Sequence, residues 1–116
     1  GVTITKPLIF TADAIVSGVT MSHGEGDACA IVHSPAVVVF RECTFERPLD
    51  SITSQALVVT GGKAIFLGCV FRGSGTTALP VVRHGGAAAN GQIAFCYNKT
   101  GNTLFAGGTA TGTGNV

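Results

Sequence analysis

The sequence contains few charged residues for its length. Only 11% of its 116 residues are Asp, Glu, Lys or Arg, against about 25% in soluble domains, while 46% are apolar and the mean hydropathy is +0.48. Disorder is excluded, because a disordered chain combines low hydrophobicity with high net charge. The net charge of +1 gives no basis for attracting nucleic acid or an anionic membrane surface. The length suits one domain, which we assign to residues 1–116.

Membrane and metal signatures are also missing. No apolar run approaches the roughly 18 residues of a membrane helix. The N-terminal segment lacks the basic start and the cleavage site of a signal peptide, so we expect synthesis in a cytosol. The four cysteines show no CxxC or Cys/His zinc spacing. We therefore expect reduced cysteines in the core, with no metal and no cofactor.

An internal repeat of about 25 residues organises what is present. The segments 36–48 and 63–75 contain matching residues at an offset of 26: Phe40 corresponds to Phe66, Cys43 to Cys69, and Phe45 to Phe71. The register extends to residues 15–24 and 92–98, which makes four copies. A second marker, an apolar pair closely followed by two glycines, recurs in VVTGG (58–62), VVRHGG (81–86) and LFAGG (104–108).

Each copy is interpreted as three short strands separated by turns and followed by a polar loop. Val, Ile, Phe and Thr dominate the strands and no useful helical period is present, so we predict an all-β chain. Copies stacked in register would place parallel strands about 4.8 Å apart and equivalent side chains in ladders. Three inward ladders are predicted: Val19, Cys43, Cys69 and Cys96; Met21, Phe45, Phe71 and Asn98; and Val16, Phe40, Phe66 and Ile93.

The recurring Cys-x-Phe strands, in FRECTF (40–45) and FLGCVF (66–71), resemble the right-handed parallel β-helix of the pectate-lyase-like superfamily. The resemblance covers residues 14 to about 110 and implies a short right-handed parallel β-helix of about four to five rungs. Residues 1–12 would then be an N-terminal cap or arm, and residues 109–116 a C-terminal tail. A β-sandwich or jelly roll is the alternative, although it leaves the matched Cys and Phe columns unexplained.

Catalytic chemistry has little support in the residues. Enzymes of that superfamily use several clustered carboxylates, whereas this register brings only Asp27 and Asp50 into neighbouring polar loops. SHGEGD (22–27) is interpreted as a solvated loop, and His33 and His84 as exposed residues at equivalent turn positions. We predict no catalytic residues and no enzymatic activity.

The predicted outward positions are also apolar. If Phe40 and Phe66 face inward, strand alternation directs their neighbours outward, and large exposed apolar patches mark protein interfaces. We therefore predict obligate assembly through a surface with an apolar centre and a polar rim. Its candidate residues are Ile65, Leu67 and Val70 near the centre, the neighbouring Val39, and Arg41, Arg47 and Arg72 at the rim.

Together with the resemblance, this surface predicts a structural protein of a virus particle. We expect a homotrimer that cements or decorates a phage capsid, assembled in the host cytoplasm and bound to capsid or other virion proteins. A tail-fibre or tailspike segment and a carbohydrate-binding or carbohydrate-cleaving module are alternatives, although only Tyr97 looks suited to stacking on a sugar. An ice-binding or adhesive solenoid would need regular ranks of alternating threonines, and a run of three alternating threonines occurs only in the tail, at Thr109, Thr111 and Thr113.

Overall fold

The fold is defined by a computed structural model that describes residues 2–22, 28–47, 56–73, 81–84, 90–100, 105–106 and 109–116. All regular structure in these ranges is β-strand, so they contain no helix that could span a membrane. The strands are β1 (Val2–Ile4), β2 (Leu8–Phe10), β3 (Ala14–Ser17), β4 (Val19–Ser22), β5 (Ala30–Val32), β6 (Val37–Arg41), β7 (Thr44–Glu46), β8 (Val58–Thr60), β9 (Lys63–Leu67), β10 (Val70–Arg72), β11 (Val82–His84), β12 (Asn90–Ala94), β13 (Tyr97–Lys99), β14 (Phe105–Ala106) and β15 (Thr109–Thr113).

The strands form three parallel five-stranded sheets that the chain visits in turn. Sheet A has the order β1-β4-β7-β10-β13, sheet B the order β2-β5-β8-β11-β14, and sheet C the order β3-β6-β9-β12-β15. Each strand therefore pairs with the strand three places along the chain. The described strands pair in parallel throughout, which argues against the antiparallel sandwich or jelly roll and is compatible with a parallel β-helix.

The register confirms the two predicted aromatic ladders. In sheet C, Val16 pairs with Phe40, Phe40 with Phe66, and Phe66 with Ile93. In sheet A, Met21 pairs with Phe45, Phe45 with Phe71, and Phe71 with Asn98. The Phe40 and Phe66 rings stack at 5.2 Å and the Phe45 and Phe71 rings at 5.3 Å, all fully buried. Such aromatic pairs contribute about 0.5–1.5 kcal/mol each beyond their burial.

The predicted cysteine column is also present in the core. Cys43, Cys69 and Cys96 are each 1% exposed, and none forms a disulfide. Each thiol lies within hydrogen-bonding distance of a carbonyl of an earlier strand: Val16 for Cys43 (3.5 Å), Phe40 for Cys69 (3.4 Å) and Phe66 for Cys96 (3.7 Å). Medium-sized side chains in register therefore fill the space between sheets.

The thiols of this column also influence one another. Hydrogen bonding with Cys43 and Cys96, together with burial, raises the pKa of the Cys69 thiol. Hydrogen bonding with Cys69 lowers the pKa of Cys43 to about 6 and that of Cys96 to about 7, against the opposing effect of burial. Burial alone, which predicts raised pKa values throughout, therefore describes only the central thiol.

The two ends of the stack differ. At the C-terminal end, the Asn115 side chain accepts a hydrogen bond from Cys96 N (3.0 Å) and donates one to Ile93 O (2.9 Å). At the N-terminal end, Val2 is 62% exposed, and Leu8 and Phe10 are only half-buried. The segment predicted as a cap or arm contains β1 and β2, edge strands of sheets A and B, and the predicted tail contains β15, an edge strand of sheet C.

Candidate subunit interface

The outer face of sheet C carries an apolar ladder. Ile15 pairs with Val39, Val39 with Ile65, and Ile65 with Gln92. Ile15 is 69% exposed, and Val39 and Ile65 are partly exposed, whereas their chain neighbours Phe40 and Phe66 are fully buried. The predicted inward and outward positions of β6 and β9 are therefore confirmed, whereas Ala94 of β12, which the same alternation places outward, is buried.

A second outward ladder runs beside the first on sheet C. Arg41 pairs with Ser17 on one side and with Leu67 on the other. Its exposed guanidinium donates from Nε to Ser17 Oγ at 3.3 Å, while Leu67 is partly exposed. Four of the seven candidate interface residues thus lie together on one sheet face: Val39, Arg41, Ile65 and Leu67.

The other candidates lie elsewhere. Val70 and Arg72 belong to β10 of sheet A, on the far side of the turn at Gly68. Val70 pairs with Thr44 and Tyr97. Arg72 lies 4.0 Å from the Glu46 carboxylate in an exposed ion pair of little energetic weight. The structure therefore places these two residues on a different sheet from Ile65.

Arg47 differs most from its predicted position. Its side chain is 6% exposed, and burial lowers the pKa of its guanidinium. Arg47 follows the last residue of β7, so strand alternation no longer fixes its direction there. Its backbone N–H donates to Arg72 O at 3.2 Å, and the absence of a side chain at Gly73 leaves room beside its carbonyl. Arg47 is therefore an interior residue rather than an exposed rim residue.

Sequence reasoning missed a second apolar face, on sheet B. Ile9 pairs with Ile31, Ile31 with Val59, and Val59 with Arg83. Ile9 is 60% exposed, and Ile31 and Val59 are partly exposed. The repeat was aligned on the Cys-x-Phe strands, which belong to sheets C and A. The signal that could have revealed this face is the β-branched residue at the centre of LIF, AIV and VVT.

Sheet A presents a more polar outer face. Its outward ladder begins with three threonines, Thr3, Thr20 and Thr44, paired in that order. Val70 and the partly exposed Tyr97 complete it. The Thr ladder was also missed, because its members lie far apart in the chain and become neighbours only through the register of the sheet. The outer β-branched apolar ladders are thus confined to sheets B and C in the part of the chain described.

Two depressions are lined entirely by described residues of sheet C and its turn. The first, which we call the sheet C groove, has a volume of about 510 Å³ and is lined by Asp13, Ala14, Ile15, Val37 and Val39. Asp13 accepts a hydrogen bond from Val37 N at 2.8 Å, which fixes one wall. The second has about 310 Å³ and is lined by Ser17, Arg41 and Glu42. The groove is apolar apart from Asp13, which suits an apolar side chain better than a polar substrate.

The remaining predictions concern titratable groups. Across the described ranges, no three His, Cys, Asp or Glu residues are grouped so that they could hold a metal ion. Asp27, Asp50 and most of SHGEGD (22–27) lie outside those ranges. His84 is the last residue of β11 and pairs with Thr60, whereas His33 follows β5, so the two histidines are not at equivalent positions.

No family model, curated protein or solved structure matches this chain.

Proposed function

We propose that this chain is a non-enzymatic structural protein of a virus particle, a homotrimer that cements or decorates a phage capsid. The observation that carries the proposal is that two outer faces, on sheets B and C, are apolar ladders of β-branched residues. A cement protein needs two contact surfaces, one for its own copies and one for the shell. We assign sheet C to contacts between copies and sheet B to the shell.

The proposed fold is a right-handed parallel β-helix of four to five rungs, similar to those of the pectate-lyase-like superfamily. Five strands in each sheet and a chain that visits the sheets in turn support between four and five complete turns. The right-handed sense is the one that crossovers between parallel strands of one sheet adopt in about 98% of cases.

The apolar ladders supply an appropriate driving force for assembly. Burying one exposed Ile or Val side chain contributes about 1.5–3 kcal/mol. The free energy gained by burying Ile15, Val39 and Ile65, which are already partly covered, therefore matches only the lower part of the roughly 4–15 kcal/mol that association costs. A second contact per subunit, such as a closed trimer provides, would make the assembly stable.

The mechanism would be passive. Area buried between copies and against the shell would resist outward pressure on the capsid, and no turnover would be needed. The protein would reside in the virion after assembly in the host cytoplasm, with capsid or other virion proteins as its partners. We infer the trimer and the viral setting from the resemblance of the repeat. The assignment of two contact surfaces rests on the two apolar outer faces.

A tail-fibre or tailspike segment with a glycan-binding surface is the second candidate. One observation favours it: the side chains of Phe95, in the turn before β13, and of Tyr97, the first residue of β13, are 72% and 44% exposed. Exposed aromatic rings are what a sugar stacks on. Weak binding to a panel of bacterial surface glycans, lost in Tyr97→Ala, would favour this candidate.

Capsid binding tests the leading candidate. The purified protein is mixed with phage capsids lacking any decoration protein, and co-sedimentation and capsid melting are measured. We expect saturable binding and a higher capsid melting temperature, both lost in Ile9→Glu and retained in Thr3→Glu, which adds the same charge to sheet A. A protein that binds no capsid and instead degrades an anionic polysaccharide in the presence of calcium would overturn the proposal.

A further inference from the structure

The turn between sheets C and A has an unusual composition. In each coil one residue of this turn has positive φ, and the register places these residues in a single column: Gly18 (66°), Glu42 (53°), Gly68 (63°), Phe95 (55°) and Gly114 (66°). Glycine adopts this left-handed region without strain, whereas a residue with a side chain is strained there. Glu42 and Phe95, the two members of this column that are not glycine, therefore require an explanation.

Phe95 is the more costly of the two exceptions. Its ring is 72% exposed, the highest value for an aromatic side chain in the described ranges. A side chain at Gly114 would collide with the Phe95 ring, so the ring lies against the glycine of the following coil. Backbone strain and solvent exposure both oppose the stability of a single copy. A contact outside the chain accounts for both.

The sheet C groove is a suitable seat for such a ring. Four of its five lining residues are Ala, Ile or Val, and it is a wide, open depression with a volume of about 510 Å³. The groove lies beside β3 and β6, whereas Phe95 follows β12, which pairs with β9 at the opposite end of the same sheet. One copy therefore cannot place its own Phe95 in its own groove.

We propose that Phe95 of one copy inserts into the sheet C groove of a second copy. The proposal rests on the self-association proposed above and names its central contact. The Phe95 side chain, which we call the knob, and the groove are different patches, so the contact is heterologous. Copies that each insert one Phe95 and accept another can close into a cyclic oligomer. Because the two patches lie at different levels of the stack, neighbouring copies must be inclined to one another.

A pair of glycine substitutions separates this role from a structural one. Phe95→Gly removes the knob and also relieves backbone strain, so we expect circular dichroism to show an intact fold while the concentration at half-dissociation rises about tenfold or more. Glu42→Gly relieves the same strain at the same kind of turn and should leave that concentration unchanged. Loss of fold in Phe95→Gly, or an equal effect in both variants, would overturn the proposal.

Cross-linking identifies the seat. Phe95→Cys and Ile15→Cys are prepared separately and mixed well above the half-dissociation concentration of either variant, because each change weakens the contact. The mixture is then oxidised mildly, while the four native cysteines remain buried. We expect a disulfide between the two variants in the mixture and little dimer from either alone. A disulfide in Phe95→Cys alone would show ring-to-ring contact, and no disulfide at all would place the ring elsewhere. Either result overturns the proposal.

The mass of the cross-linked and native species distinguishes the two proposals. An assembly unaffected by Phe95→Gly would overturn the knob contact and leave the trimer standing. The disulfide itself joins only two chains, so the mass under native conditions gives the stoichiometry: a native dimer that carries the mixed disulfide would support the Phe95 contact and overturn the trimer. A chain that is monomeric at all concentrations would overturn both.

Discussion

The inner and outer ladders of sheet C lie one residue apart in the chain and differ in how strongly folding constrains their side chains. Phe40 and Phe66 on the inside are fully buried and stacked, so their size and shape are fixed by the neighbouring coil. Val39 and Ile65 on the outside are apolar but partly exposed, and folding alone does not require an apolar side chain there. If the outer ladder serves the proposed assembly, fold and assembly depend on alternate residues of the same strands, and mutation should separate them.

Phe66→Glu should have the largest effect of any single change. It removes a ring that contacts Phe40, Phe45 and Phe71. Loss of a buried Phe costs about 3–5 kcal/mol, and an unpaired buried carboxylate adds to this, against a typical total stability of about 5–15 kcal/mol. We expect no cooperative unfolding transition by circular dichroism. A variant with a normal transition would place Phe66 outside the core.

Ile65→Glu should leave the fold intact and disrupt the assembly. A charge placed in an apolar contact removes about 1.5–3 kcal/mol of burial at each interface, equivalent to at least a tenfold weaker association. The measurement is sedimentation velocity at several concentrations. Thr44→Glu is the matched control, because it adds the same charge to an outward, partly exposed position of sheet A. Equal dissociation in both variants would mean that sheet C has no special role.

Asn115→Ala should have a moderate effect on stability by opening the capped end. It removes one hydrogen bond from Cys96 N and one to Ile93 O. An unsatisfied buried backbone group costs about 1–3 kcal/mol of stability. Each kcal/mol lowers the Tm of a small domain by roughly 4–8 °C. Asn115→Asp keeps the acceptor but loses the donor, so its Tm should fall between those of wild type and Asn115→Ala. No change in either variant would contradict the capping role.

The smallest expected signal is the reaction of the native cysteines with a thiol reagent, which should be nearly absent. All four thiols are buried, so a thiol reagent should reach them only when the chain opens. We expect negligible labelling of the native protein within minutes and four labelled thiols in denaturant. Rapid native labelling of Cys43, Cys69 or Cys96 would mean that the inside of the stack is accessible.

The ladders were predictable because stacking forces like side chains to recur. Phe40 and Phe66, or Cys43 and Cys69, fill the same space in successive coils, so the repeat appears in the sequence. Outward residues have no such constraint, which explains why the face of Ile9, Ile31 and Val59 was missed. Arg47 was misplaced because alternation ends with the strand. Outward positions and strand ends are therefore less constrained by the repeat than the inward ladders are.

The turn column was equally hidden from sequence reasoning. Glycine at three of its five positions suggests a turn that needs positive φ, but Glu42 and Phe95 occupy the other two. Without knowledge of the register, FRECTF and FLGCVF show only that Glu and Gly exchange at one position. The exposed ring at Phe95 becomes informative only when the backbone conformation beneath it is known.

The mass of the wild-type chain in solution, measured by sedimentation equilibrium over a wide range of concentrations, is the most direct test of whether the outer faces serve assembly. A closed trimer of the 11.7 kDa chain predicts about 35 kDa down to low concentration. A mass of 11.7 kDa at every concentration would contradict the account, because the ladder of Ile15, Val39 and Ile65 would then remain in water.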